Sequence, residues 1–193
     1  DGSTMYFISN RSGVVGGRGA QGGKDIWVST KEEDGTWGKP TNIGEDINTN
    51  GDESSVFIHP NGKTLFFSSE GHPDKNMGGF DVFRSDFKDG KWSIPENLGF
   101  PINSHRDEKE IIVSTDGQVG WLTSRRGIDK KDFDIYELDL KHYNVFTGES
   151  EVLSILKGKV IDSSTGLPME AKIEVKEQGS DVVVSLTSNK DGS

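Results

Sequence analysis

An all-β fold is predicted by three features of this 193-residue sequence. Apolar residues make up only 31% of the chain and fall in short dense runs such as MYFI, LFF, IIV and VVV. Twenty-five glycines and a series of Asn-Gly and Asp-Gly pairs break those runs apart, a pattern of strands and turns rather than helices. The third feature is an internal repeat. GGKDIWVSTKEEDGTWGKPTNIGEDIN, from Gly22, returns as GGFDVFRSDFKDGKWSIPENLGFPIN from Gly78.

The register of the repeat defines the elements. Asp25, Asp81 and Asp134 sit at matching places, 56 and 53 residues apart. Trp37 and Trp92, Asp52-Glu53 and Asp107-Glu108, and Asn61-Gly62 and Asp116-Gly117 are each 55 residues apart. In the complete unit, residues 53–60 and 63–70 form two strands joined at Asn61-Gly62, a two-residue hairpin signature. The loop GHPDKNMGG leads to a third strand, 80–87, and Asp89-Gly90 turns the chain into a fourth, 91–97. Pro95 places that fourth strand at an edge, where a ladder donor can be spared. LFF and IIV are apolar at consecutive positions, so both sheet faces are covered. Four antiparallel strands, repeated and stacked, describe a β-propeller blade.

Residues 1–44 supply three strands of one blade, 52–99 a whole blade and 107–140 three strands of another. Residues 1–140 are therefore expected to be a partial β-propeller of about two and a half four-stranded antiparallel blades. Such a segment leaves apolar faces and sheet edges open, so a piece of a longer protein is expected. A polar linker follows at 141–152. From 153 to 193 the alternation in KGKVID and AKIEV, around the turn SSTGLP, predicts the start of a small, truncated β-sandwich.

Composition excludes several functions. A net charge of −10 disfavours nucleic acid and attachment to anionic lipid. Without cysteine there is no disulfide framework and no thiolate metal site. No apolar run approaches the ~18 residues of a membrane-spanning helix, so no membrane insertion is expected of this segment.

The series GGxDIxxS, DGxWGxPxNxGxxIN and GKTLFFSS resembles the TolB-like propeller repeats of OmpA-family envelope proteins from Bacteroidetes-type bacteria. The match rests on Asp25, Ile26, Trp37, Pro40, Asn42, Gly44, Asn48 and Asp52-Glu53, and on their copies Asp81, Trp92, Pro95, Asn97, Gly99, Asn103 and Asp107-Glu108. The tail GKVIDSSTGLPMEAKIEV is similar to a carboxypeptidase regulatory-like domain, a transthyretin-like sandwich. The order of the two resembles PorE-type proteins. That resemblance implies a periplasmic, outer-membrane-associated location and attachment to peptidoglycan through a domain outside this chain. It further implies a scaffold role among other envelope proteins, linking the type IX secretion apparatus to the cell wall.

Candidate chemistry is weighed against structural roles. Asp46, Asn48, Asn50 and Gly51 fit the opening of a calcium loop, but its twelfth position is Phe57 rather than a bidentate Glu. These side chains are read as turn caps, and no metal is expected. The repeated Asp25, Asp81 and Asp134 are read as acceptors for backbone donors, and Ser9, Ser69 and Ser124 lack a base or a GxSxG elbow. His59, His72, His105 and His142 form no HExxH pattern. DGTW at 34–37 is similar to the Asp-box turn of sialidase propellers, two residues short. Arg11, Arg18, Arg125 and Arg126 show no pairing with Tyr6, Tyr136 or Tyr143. Trp37 and Trp92, at one repeat position, are read as packing between blades rather than as sugar platforms. No catalytic residue and no cofactor is assigned. The competing reading is a propeller that binds or cleaves a glycan or peptide.

Partner contact is expected on the face bearing the long, variable loops, since the opposite turns are minimal. The residues assigned to it are Arg18, His72, Lys75, Met77, His105, Arg106, Arg125 and Arg126.

Overall fold

A computed structural model describes residues 2–11, 23–72, 74–127, 131–146, 159–176 and 183–190. Among them every regular element is a strand and every ladder is antiparallel. The chain separates into two compact units, residues 1–153 and 154–193.

The first unit holds three sheets. The first is β1 (Thr4–Ser9), β2 (Asp25–Thr30) and β3 (Thr41–Asn42), in that order. The second comprises β4 (Glu53–Ile58), β5 (Thr64–Ser69), β6 (Asp81–Lys88), β7 (Lys91–Trp92) and β8 (Glu96–Asn97). The third is β9 (Glu108–Val113), β10 (Val119–Ser124) and β11 (Asp134–Asp139). The repeat register is kept in the ladders. Ser9 faces Asp25, Ser69 faces Asp81 and Ser124 faces Asp134.

Consecutive apolar residues in β5 serve two cores, because neighbours on a strand point to opposite faces. Leu65 and Phe67 join Ile26, Ile47 and Phe83, with Tyr6, Ile8 and Trp92 against them, at the seam of the first and second sheets. Phe66 joins Val82, Ile111, Val113 and Leu122 at the seam of the second and third. Phe66, Phe67 and Phe83 are wholly buried, each worth roughly 1.5–3 kcal/mol of transfer free energy. On the far face of the third sheet Ile112, Trp121 and Ile135 stay exposed, at 54%, 41% and 77%.

The expected fourth strand is two short ones. Lys91 and Trp92 pair with Lys88 and Phe87, while Glu96 and Asn97 pair with Arg84 and Phe83. Between them the backbone leaves the ladder, since Pro95 has no N–H to give. Ser93 anchors the break. Its Oγ accepts the Asp86 amide at 3.0 Å, and its carbonyl accepts Ser85 Oγ at 2.7 Å.

The hairpins also differ from expectation. Only Asp89-Gly90 turns on two positive φ angles, 53° and 82°. At the other turns only the glycine is left-handed, with φ of 68° at Gly62 and 71° at Gly117. The closing bond there runs from the His59 amide to the Thr64 carbonyl, so the loop is longer than two residues. The reason is the Asn61 side chain, whose Oδ1 accepts the Lys63 and Thr64 amides at 2.9 and 3.0 Å.

Residues 141–146, expected within a linker, contribute to the first unit. Val145 is buried in the second seam, Arg84 Nη1 donates to the Asn144 carbonyl at 3.1 Å, and Phe146 lies 4.6 Å from the His59 ring. The second unit contains β12 (Lys172–Lys176) and β13 (Val183–Thr187), paired as a two-stranded sheet. Its 162–167 turn is wound around Asp162, whose carboxylate accepts the Ser164 and Thr165 amides and hydroxyls and is held at a pKa of about 2.

Candidate functional site

One row of polar residues crosses the same end of each larger sheet: Glu53, Ser69 and Asp81 in the second, Glu108, Ser124 and Asp134 in the third. The loops that carry most of the expected partner residues start from this end. The row is tied to the preceding sheet by asparagines. Asn48 accepts the Ile26 amide at 2.8 Å and donates to the Ile26 carbonyl at 2.9 Å and to Asn42 at 2.8 Å. Asn42 in turn donates to Asp25 at 3.1 Å. The next copy repeats every bond: Asn103 with Val82 and Asn97, and Asn97 with Asp81 at 2.9 Å. A buried asparagine thus supplies the acceptor for the Ile26 and Val82 amides and shares each carbonyl with a main-chain donor, the Ile43 amide at 3.2 Å and the Leu98 amide at 3.1 Å.

The glutamates close the loops. Glu53 accepts Thr49 Oγ1 and Ser69 Oγ, both at 2.9 Å, and those hydroxyls accept the Gly51 and Gly71 amides at 3.1 and 3.0 Å. Glu108 does the same with Ser104 at 2.7 Å and Ser124 at 2.6 Å, which accept the Arg106 and Arg126 amides. Both carboxyls are wholly buried. The copies differ in one respect. Arg126 Nη2 stands 3.1 Å from Glu108, whereas among the described residues no cation pairs with Glu53. Burial pushes the Glu53 carboxyl up to about 7. Burial also raises Asp81, against the pull of the Met77 amide and Asn97.

The structure distributes the expected partner residues over three environments. Met77, His105, Arg106 and Arg125 belong to adjoining loops at the second seam. A side chain at Gly78 would meet the His105–Arg106 backbone, and Arg125 pairs with Asp107 at 2.9 Å. Met77 and His105 are exposed, Arg106 and Arg125 half-buried. Lys75 is also exposed, with Nζ donating to the Pro95 carbonyl at 2.8 Å. His72 and Arg126 are turned inward. His72 lies against Phe83 at 4.7 Å and its pKa is lowered by burial. Arg126 is spent on internal acceptors: Glu108, Ser124 Oγ at 2.9 Å, the Pro101 carbonyl at 2.6 Å and the Ile102 carbonyl. Arg18 lies outside the described residues.

Two further features were not singled out by sequence reading. Phe133 lies beneath two cations, Arg125 at 4.3 Å and Lys109 at 5.3 Å, which makes the second-seam loops an aromatic and basic cluster. A cleft of about 580 Å³ opens at the first seam beside the short turns, lined by Tyr6, Thr30, Thr41, Phe87, Lys91 and Trp92. Trp92 meets Tyr6 and Phe87 edge-on, at 6.1 and 5.1 Å. The signal for the cleft is Trp92, which packs across the seam and leaves one side open; its copy Trp37, expected to pack likewise, is 45% exposed. No cluster of metal-ligating side chains occurs among the described residues.

The chain matches no family model, no curated protein and no solved structure.

Proposed function

We propose that the first unit is part of a β-propeller that serves as a rigid, non-enzymatic scaffold, with partner contacts on the loops at the polar end of the sheets. One observation carries this reading: the two seams are built from the same positions. Ile112, Trp121 and Ile135 on the open face of the third sheet correspond in the repeat to Phe57, Phe66 and Val82. Those three lie at the second seam, with Phe66 and Val82 wholly buried and Phe57 packed against its core. A face so composed suits a further sheet of the same kind. The repeated Asn, Glu and Ser residues hold main-chain amides and loop hydroxyls alike in both copies, and that favours a scaffold over an enzyme. The motif resemblance supports a setting in the periplasm of an outer-membrane-associated, peptidoglycan-anchored protein that contacts other envelope proteins, among them a secretion apparatus.

The test is crosslinking in the intact protein within its native envelope. Photoreactive residues at Met77, His105 and Arg106 should capture envelope proteins, while the same probes at Asp34 and Asp89 should not. Crosslinks confined to the short turns would overturn the assignment of the face.

A second reading, capture of a glycan or an aromatic-rich peptide, is favoured by the first-seam cleft with its three aromatic rings. Peptidoglycan fragments that alter tryptophan emission in the wild-type chain, but not in a Trp92→Leu variant, would support it.

A further inference from the structure

The two glutamate sites are internal controls for each other. Glu53 and Glu108 occupy one repeat position, each wholly buried, each receiving two hydroxyls and the amide of Thr49 or Ser104. The second seam adds the Arg126 guanidinium, but at the first seam the corresponding position is Gly71. A side chain at Gly71 would run into Thr49 and lie 2.8 Å from the Gly51 amide nitrogen, so the first seam has no room for that cation. Among the described residues the surrounding charges supply none either. Asp25 at the start of β2 repels Glu53, and Lys24 beside it gives its amide to Asp52 at 3.0 Å. The 46–52 loop brings Asp46 and Asp52, and the end of β5 brings Glu70, which accepts the Asp52 amide at 3.4 Å. His72, past β5, is itself disfavoured as a cation by burial. An ionised carboxylate taken from water without a counter-charge is costly.

We propose that Glu53 is a proton-controlled latch: uncharged, it holds the 46–52 and 69–72 turns against the first seam, and ionised, it releases them, while the Glu108 seam stays closed. The pH window follows from the direction of the shift. The closed loops keep a proton on Glu53 up to about 7, whereas an opened, solvated Glu53 loses it near its ordinary value of 4.5. Between those values the open form binds fewer protons, so opening is favoured as pH rises and levels off above about 7. The latch stabilises the loops fully at acidic pH and loses that contribution through neutrality.

Amide hydrogen exchange of the whole chain between pH 5 and 8, corrected for intrinsic rates, reads this directly. Opening at the Gly51 and Gly71 amides should rise by up to about tenfold per pH unit and then plateau. The Arg106 and Arg126 amides should stay flat, and Glu53→Gln should flatten the first pair. His72→Gln should leave the slope in place, and loss of the slope in that variant would assign the effect to His72 and overturn the proposal. Arg126→Met should confer the same slope on the second seam, and a flat profile there would count against the mechanism. Should Glu53→Gln not fold, carboxyl NMR of the unaltered chain decides: a Glu53 midpoint near the ordinary value refutes the latch.

Discussion

Asn103 shows how much structure one repeated side chain can carry. It is wholly buried and its amide answers both main-chain groups of Val82 and the side chain of Asn97. Replacing it with alanine strands the buried Val82 N–H, at about 1–3 kcal/mol, whereas the Val82 carbonyl keeps the Leu98 amide at 3.1 Å. Asn103→Ala should therefore lower the urea midpoint by the equivalent of roughly 1–3 kcal/mol with little change in slope. Asn48→Ala should behave alike, since its bonds are the same. The sequence marks these residues clearly, through their recurrence, as structural. It does not show that they answer a strand amide rather than cap a turn, because that depends on which main-chain donors the ladder leaves unpaired. The same limit applies to Arg126. As a basic residue in a long loop it reads as a partner anchor, yet the buried Glu108 beneath it claims its donors.

At the scale of elements, strand positions were legible within a residue or two because apolar runs and turn pairs alternate without ambiguity. The broken fourth strand was half legible. Pro95 indicates an edge, but the anchoring of Ser93 by Asp86 and Ser85 is a tertiary matter. The turns separate what looks identical in sequence. Gly62 and Gly117 share a left-handed conformation, but a side chain at Gly62 meets open space while one at Gly117 would strike the Phe146 ring. Gly62→Ala should cost about 1 kcal/mol, from backbone strain alone. Gly117→Ala should cost more, by about 1–3 kcal/mol of overpacking, and should shift the Phe146 aromatic resonances. Equal melting temperatures for the two variants would show that Phe146 yields freely.

For the first unit as a whole, the exposed Ile112, Trp121 and Ile135 form a ready surface for association. Trp121→Gln with Ile112→Thr should reduce hydrophobic-dye binding and concentration-dependent light scattering, and leave the unfolding midpoint within about 0.5 kcal/mol, as surface changes do. A large loss of stability would mean that the face is packed within this chain.

The facing glycines of the first seam carry a consequence for how such repeats diverge. A side chain at Gly51 would meet the Gly71 backbone, and one at Gly71 would meet Thr49 and Gly51. Their counterparts at the second seam are Arg106 and Arg126. Neither glycine can accept its counterpart's arginine on the present loop paths, because the new side chain collides with the backbone of the facing loop. Divergence between the copies therefore passes through joint exchange of both loops, a case of sign epistasis imposed by packing. Grafting 104–108 and 124–126 together onto the first seam is the viable route to a second arginine-closed junction, whereas residue-by-residue transfer stalls at its first step.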